Sequence, residues 1–124
     1  MGMEFEDKTP IYLQIIKLIK ADIVTNKLKG GDKLPSVREM SINLKVNPNT
    51  IQRAYQELER RNLIYAQRGM GNYVREDQNM VEDIKKEMAE ESINTFISSM
   101  KTLGFSPEEI VDTVKESLKE EEKN

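Results

Sequence analysis

Apolar residues recur at three- and four-residue steps near the start of the chain, a spacing that places them on one helix face. The pattern predicts a first helix from about Pro10 to Thr25, with Thr9 as its N-cap and Pro10 at the first helical position. The face expected to be apolar consists of Ile11, Tyr12, Ile15, Ile16, Ile19 and Ile23. The glycine- and lysine-rich residues 27–32 then predict a turn, and Lys33 and Leu34 a short strand.

Two shorter helical patterns follow, separated by about three residues. Ser36 and Glu39 stand in the S-x-x-E relation of a capping box, so we expect a helix over 37–44. Asn47, followed by a proline, is a suitable N-cap for the next helix, 48–61. Two short helices joined by so brief a turn predict a helix-turn-helix.

The later of these two helices has two chemically different faces. Four apolar residues share one face: Ile51, Ala54, Tyr55 and Leu58. The opposite face carries hydrogen-bonding side chains: Asn49, Gln52, Arg53 and Gln56. Side chains of these kinds read base edges in the major groove of DNA. Taken by itself, such a helix is more simply interpreted as a solvated surface helix, and it is the neighbouring elements that favour DNA recognition.

Strand patterns at 63–67 and 72–75 flank the sequence Arg68-Gly69-Met70-Gly71, which predicts a β-hairpin with glycines at its tip. A bare Gly-x-Gly indicates no more than a turn. Directly after a helix-turn-helix, however, the hairpin is typical of the wing of a winged helix. Its basic residue and two glycines would let the backbone lie against DNA.

From Gln78 onwards the composition becomes that of two amphipathic helices, the second beginning at Ser106-Pro107. Two helices of this size cannot fully bury their apolar faces against each other. We therefore expect a two-fold homodimer, with folding back onto their own domain as the alternative. The predicted dimerisation residues are Ile84, Met88, Phe96, Ile97, Met100, Leu103, Phe105, Ile110, Val114 and Leu118. The predicted domains are thus 9–76 for DNA binding and 77–124 for dimerisation, in an α+β, mostly α, fold.

The distribution of charge agrees with this division, although the whole chain of 124 residues carries a net charge of −3. Residues 33–75 hold eight basic and three acidic residues, whereas residues 78–124 hold six basic and twelve acidic residues. Phosphate contacts are short-range at physiological salt, so the local charge is the better guide. The middle of the chain is therefore the part expected to face a polyanion.

Three blocks in this order strongly resemble the GntR family of bacterial winged-helix transcription regulators: Leu34 to Met40, Val46 to Tyr55 and Arg68 to Val74. The resemblance covers about residues 9–75. The sequences Asn-Pro-Asn-Thr and Arg-Ala-Tyr, with only about fifty residues after the wing, resemble the YtrA subgroup. The resemblance implies a short two-helix dimerisation region and a role in regulating transport-related operons.

The resemblance also implies roles for individual residues. Ser36 and Arg38, in the block that begins with Pro35, would contact DNA, and Arg38 would bind a phosphate or a guanine at the groove edge. Asn47, Asn49 and Thr50 would place the start of the recognition helix against the DNA backbone. Gln52 and Arg53 would contact bases or nearby phosphates, and Arg68, Gly69 and Gly71 would form the wing tip.

Two positions depart from the pattern of the family. Pro48 stands where many members have a basic residue, so base contacts from that position are lost. Gln52 stands where many members have arginine. Because glutamine pairs well with adenine edges, we expect direct readout to shift from guanine toward adenine.

The absence of cysteine and histidine from the sequence removes thiolate catalysis, histidine acid–base chemistry and the usual zinc sites. We expect no metal, no cofactor and no enzymatic activity, although an enzyme remains a minor alternative. The other alternative is a winged helix that binds a protein partner instead of DNA.

No run approaches the ~18 apolar residues of a membrane span, and no signal peptide is recognisable, so a cytosolic protein is expected. No site for a small-molecule effector is visible.

Overall fold

The computed structural model describes residue 5 and residues 8–123. The elements, in chain order, are α1 (Ile11–Val24), α2 (Val37–Leu44), α3 (Pro48–Arg60), β1 (Ile64–Gln67), β2 (Gly71–Val74), α4 (Gln78–Thr102) and α5 (Pro107–Glu122). Within these described residues, five helices and one two-stranded sheet confirm the predicted fold class, α+β and mostly α. The predicted helix-turn-helix and hairpin are both present.

The start of α1 differs from the prediction. Pro10, and not Thr9, occupies the N-cap position, because the backbone N–H groups of Leu13 and Gln14 bond to the carbonyl oxygen of Pro10. Within the described part of the chain, no side chain caps this helix. Ile11, predicted on the apolar face, is exposed, since the first turn extends beyond the edge of the core.

Helix α3 is the central element of the core. It packs against α1 on one side, against α2 on another and against β1 beyond its C-terminal end. The most completely buried large side chains come from α1, α3, the two strands and the segment before α2: Ile15, Ile19, Leu34, Ile51, Leu58, Ile64 and Val74. Burial of these aliphatic side chains is the main stabilising contribution to the domain.

Strand β2 is the middle member of the wing. On one side it pairs antiparallel with β1, in a register that sets Ile64 opposite Val74. On its other side lies the segment before α2, where the N–H of Leu34 donates to Asn72 O at 2.8 Å. The strand expected at Lys33 is therefore a single bridge, to Tyr73. These contacts attach the wing to the start of the helix-turn-helix.

The chain forms two compact units, one extending to Ile84 and the other beginning at Lys85. The first turns of α4 thus belong to the winged-helix unit. The predicted boundary between residues 76 and 77 concerns function and stays a prediction. The second unit contains the rest of α4, and α5, whose start has the expected capping box between Ser106 and Glu109. Across residue 5 and residues 8–123, no helix combines the length and the apolarity needed to cross a bilayer.

Candidate nucleic-acid interface

Helix α3 separates its two faces as its amphipathic pattern predicts. Ile51, Ala54 and Leu58 are fully buried and fix the helix in the core. The side chains of Gln52 and Arg53 are exposed on the other face, and so are those of Asn49 and Gln56. The row of polar side chains is therefore available to a partner, and the helix that carries it is held rigidly.

A partly buried hydrogen bond links α3 to the segment that leads into α2. The hydroxyl of Tyr55 donates to the carbonyl oxygen of Pro35 at 2.7 Å, although the ring lies within the core. Burial, and then the carboxylate of Glu39, raise the pKa of this hydroxyl, so it remains a donor at all physiological pH values. Because Pro35 directly precedes Ser36, the N-cap of α2, this bond helps to set the position of Arg38 relative to the recognition helix.

The turn between α2 and α3 is closed by local contacts. The hydroxyl of Ser41 donates to the carbonyl oxygen of Val46 at 2.5 Å. Lys45 adopts a left-handed backbone conformation, with a φ of 55°. Residues with a side chain adopt this left-handed conformation unfavourably, but Lys45 adopts it because the tight turn between the two helices needs it. Together these contacts hold the two helices at a fixed angle.

Ser36 and Glu39 form the capping box that the sequence predicts. The hydroxyl oxygen of Ser36 accepts from the N–H of Glu39 at 3.0 Å, and the carboxylate of Glu39 accepts from the N–H of Ser36 at 3.0 Å. The backbone bond from Ser36 is the main cause that lowers the pKa of Glu39. Ser36 thus has a structural role in the free protein, and Arg38 is exposed in the first turn of α2.

At the start of α3, the side chain of Asn47 acts as the cap. Its oxygen accepts from the N–H of Asn49 at 2.8 Å, and Pro48 follows at the first helical position. Asn49 is exposed and Thr50 is half-buried. Of the residues expected to contact DNA here, Asn47 therefore has an internal partner, while the side chain of Asn49 faces solvent.

Arg53 has a neighbour that the sequence analysis missed. Its guanidinium carbon lies 3.8 Å from the centroid of the Tyr12 ring, an arrangement typical of a cation–π contact. Tyr12 was predicted on the apolar face of α1, but it is only half-buried. No local pattern could have revealed the contact, because the two residues come close only when α1 packs against α3.

The wing tip is the turn after β1. The N–H of Met70 donates to Gln67 O at 2.8 Å, which closes the turn around Arg68 and Gly69. Gly69 has a φ of 76° and Gly71 a φ of 118°, values that side chains rarely adopt. The glycines are thus required by the turn itself, and Arg68 is exposed at the tip.

Two arginines at the C-terminal end of α3 form ion pairs with one carboxylate of the same helix. Arg60 and Arg61 both bond to the carboxylate of Glu57, Arg61 through its Nε at 3.0 Å. The hydrogen bonds from Arg60 and then Arg61 lower the pKa of Glu57 to about 2. The local charge count therefore overstates the number of free cations on this helix.

The second unit leaves most of its large apolar side chains exposed. The exposed set is Ile93, Phe96, Leu103, Val111, Val114 and Leu118, of which Leu103 reaches 72%. Of the residues predicted for dimerisation, Ile84 and Ile110 are instead buried within the single chain. Met88, Ile97, Met100 and Phe105 are partly exposed. The predicted set is therefore divided between the interior of the chain and its surface.

A capped recognition helix, a rigid turn and a glycine-tipped wing together define a winged helix-turn-helix protein of the DNA-binding class. The chain belongs to the GntR family of bacterial regulatory proteins, whose family model matches residues 11–74. It is a transcriptional regulator of that family, and the resemblance noted in the sequence is confirmed.

Two relatives extend the similarity beyond the winged helix. The HTH-type transcriptional regulator YhcF of Bacillus subtilis is 44% identical over 115 residues, 93% of this chain and 95% of that protein. The HTH-type transcriptional repressor YtrA of the same organism is 38% identical over 109 residues, 87% of this chain and 84% of that protein. The likeness to YtrA therefore includes most of the two-helix region.

Solved structures agree with these relatives. A GntR family transcriptional regulator from Listeria monocytogenes superposes with a TM-score of 0.82 at 46% identity, covering 90% of this chain and 98% of that chain. The DNA-binding domain of AraR, in complex with its operator ORX1, superposes with a TM-score of 0.53 at 28% identity, covering 60% of this chain and 89% of that chain. The same fold thus binds an operator in AraR.

Proposed function

We propose that this protein is a homodimeric repressor that binds a pseudo-palindromic DNA operator. The observation that carries the proposal is the exposed polar row of α3, with Gln52 and Arg53 near its start. Tyr55 and Pro35 hold this row at a fixed position relative to Arg38. Side chains held on rigid elements are suited to base and phosphate contacts at constant spacing.

The charge of this region supports binding to phosphate. Residues 33–75 carry a net charge of +5, whereas residues 78–124 carry −6. Arg38, Arg53 and Arg68 are exposed on the helices and wing that would approach DNA. Contacts from such residues release counterions, so the affinity should fall steeply as salt concentration rises.

Repression is supported by the relatives. YtrA, which is similar to this chain over both the winged helix and most of the two-helix region, is named a transcriptional repressor. The AraR complex supports an operator as the DNA target, because that domain shares the fold and is bound to operator DNA. A repressor of this kind would work on the chromosome, in the cytoplasm.

The homodimer is supported by the exposed apolar side chains of the second unit. Phe96, Val114 and Leu118 are exposed on α4 and α5, at positions that a monomer has no reason to keep apolar. A two-fold partner would cover them and would also supply a second recognition helix. Two such helices would enter successive major grooves of half-sites about one turn, ~10 base pairs, apart.

The first test is DNA binding across a salt series, with the duplex immediately upstream of the protein's own gene compared with random duplex of equal length. We expect tight binding to the upstream duplex, with protection of a two-fold symmetric site by one dimer. Equal and weak binding to both duplexes would contradict an operator there. No binding to any duplex at low salt would favour the alternative, a winged helix that recruits a protein partner.

Charge-reversal variants distinguish the proposed surface from general electrostatics. Arg38→Glu and Arg53→Glu should each abolish binding to the operator, since each places a carboxylate beside phosphates. Lys119→Glu makes the same change of charge on α5, in the second unit, and serves as the matched control. Equal losses in all three variants would show that only the net charge matters.

The dimer is tested by measuring mass in solution. The chain has a mass of 14.4 kDa, and we expect sedimentation equilibrium to report twice this value. The double variant Leu103→Glu/Leu118→Glu should shift the mass to that of the monomer, because it places two charges in the apolar face. The control Thr102→Glu adds a charge beside Leu103 at an exposed polar position and should remain dimeric. A wild-type monomer at all concentrations would refute the dimer.

A further inference from the structure

The contact between Arg53 and Tyr12 joins the recognition helix to the first helix. Tyr12 is the second residue of α1, and its ring lies under the guanidinium group of Arg53 at 3.8 Å from ring centroid to guanidinium carbon. Helices α1 and α3 pack against each other and Tyr12 is half-buried between solvent and core, so this packing restricts the position of the ring. The ring is therefore a rigid support for a side chain that is otherwise long and mobile.

The stack leaves the hydrogen-bonding capacity of Arg53 free. A cation–π contact uses the flat face of the guanidinium group, whereas its five N–H donors lie in the plane and point outward. Within residues 8–123, Arg53 forms no hydrogen bond and no ion pair with another residue. Arg60 and Arg61, on the same helix, are in contrast bonded to Glu57. Arg53 is thus held without being neutralised.

The stack also faces an open depression where two helices begin. Its walls are formed by the first residues of α1 and the first turns of α3: Pro10, Ile11, Tyr12, Asn49, Thr50 and Arg53. The side chain of Arg53 lies across the surface toward α1 and does not extend straight outward from α3. This direction shortens its reach into a groove and brings its donors to the side of the helix, where a DNA strand would pass.

The geometry points to a positioning role for Tyr12: its ring holds Arg53 so that the guanidinium group binds a backbone phosphate at the edge of the major groove. Base reading is left to Gln52. This role rests on the proposed DNA-binding function and adds to it a residue of α1, outside the helix-turn-helix and the wing. Holding the side chain in place before binding reduces the entropy that is lost when the complex forms.

The test compares Tyr12→Phe, Tyr12→Leu, Arg53→Ala and the double variant Tyr12→Leu/Arg53→Ala. Binding is measured over a salt series with two duplexes: one selected from a random library by the wild-type protein, and one of random sequence. Phenylalanine keeps the aromatic face, whereas leucine replaces it with an aliphatic side chain. The difference between the two variants therefore reports mainly the effect of losing the stack on Arg53. Thermal melting of each variant, in the absence of DNA, shows whether the fold is intact.

We expect Arg53→Ala to weaken binding to both duplexes by the same factor and to reduce the salt slope by about one. Tyr12→Leu should weaken binding about two- to fivefold and lower the salt slope in the same direction, whereas Tyr12→Phe should bind as the wild type does. In the double variant, the loss should equal that of Arg53→Ala alone. The control Arg60→Ala should change binding little, because that arginine is engaged by Glu57.

Three results would overturn the role of Tyr12. The first is wild-type affinity and salt slope in Tyr12→Leu. The second is an undiminished penalty of Tyr12→Leu when Arg53 is already alanine, which would mean that the ring acts by itself. The third is a loss in Arg53→Ala confined to the selected duplex, which would make Arg53 a base reader. Failure of the wild-type protein to bind any duplex would instead overturn the proposed function, and this role with it.

Discussion

The two units of the chain distribute their apolar side chains in opposite ways. In the part of the chain that the structure describes, fifteen of the sixteen buried apolar residues lie in the unit that ends at Ile84, and only Ile110 lies in the other. The unit from Lys85 onward has instead six large apolar side chains exposed. The first unit is stabilised by its own core, whereas the second has an apolar surface that its own residues do not cover.

The polar surfaces of the two units differ as well. The first unit exposes cations and amides on α2, α3 and the wing tip, while the second is acidic. An acidic surface is repelled by phosphate, and an apolar surface is suited to a protein partner. The proposed surfaces for DNA binding and for self-association would therefore lie on separate parts of a short chain.

The same substitution in each unit gives the largest expected contrast. Leu58 is fully buried, so Leu58→Ala should lower the free energy of unfolding by about 2–5 kcal/mol. Leu118 is 56% exposed, and Leu118→Ala should leave the unfolding of the first unit unchanged. Urea denaturation, followed by the fluorescence of the first unit's tyrosines, measures both. Similar losses of unfolding free energy in the two variants would contradict the conclusion that the two units differ in how they bury apolar side chains.

Base reading from the first unit is the next test. Gln52→Ala should remove discrimination of about 1–3 kcal/mol at one or two operator positions, where the wild-type protein prefers adenine. If removal of the Gln52 amide weakens binding to every sequence equally, then Gln52 does not read a base. Selection of duplexes from a random library by both proteins gives the answer. Asn94→Ala, which removes an exposed amide from α4 in the second unit, is the matched control.

The hydrogen bond from Tyr55 to Pro35 is expected to stabilise the first unit and to fix the spacing between Arg38 and α3. Tyr55→Phe leaves the Pro35 carbonyl without this donor and should cost about 1–2 kcal/mol of unfolding free energy. Tyr65→Phe, at an exposed position on the wing, should cost much less. Operator affinity should fall in Tyr55→Phe even at temperatures where the protein is fully folded, because the spacing between Arg38 and α3 is relaxed. Unchanged affinity would show that other contacts fix this spacing.

The smallest effect concerns the ion pairs of Glu57. The pKa of this carboxyl is lowered from an ordinary 4.5 to about 2, so its stabilising contribution is present above pH 4.5 and is lost as the pH falls toward 2. Wild type and Glu57→Gln should therefore differ slightly at pH 7 and converge as the pH falls from about 4.5 toward 2. Urea midpoints across this range measure the convergence. A constant difference at all pH values would mean that the charge of Glu57 is not responsible.

Much of the local structure could be predicted from the sequence. The capping boxes at Ser36 and Ser106 and the Asn47 cap involve residues within three positions of each other, so a short window contains all the atoms that matter. The amphipathic pattern of α3 likewise identified its buried face. The bonds of Arg60 and Arg61 to Glu57 also lie within about one helical turn, so the three- and four-residue spacing already indicates that these charges pair with each other.

Local sequence was thus enough to predict the capped starts of α2, α3 and α5 and the buried face of α3. The packing of whole elements was needed to show that Arg53 stacks on Tyr12, that Tyr55 bonds to Pro35 and that Ile110 is buried while Leu103 is exposed. Arg53 and Tyr12 are 41 positions apart, and Tyr55 and Pro35 are 20 apart. Contacts between residues so distant depend on how whole elements pack, because no periodic pattern in a single helix records which side chain of another helix will lie against it.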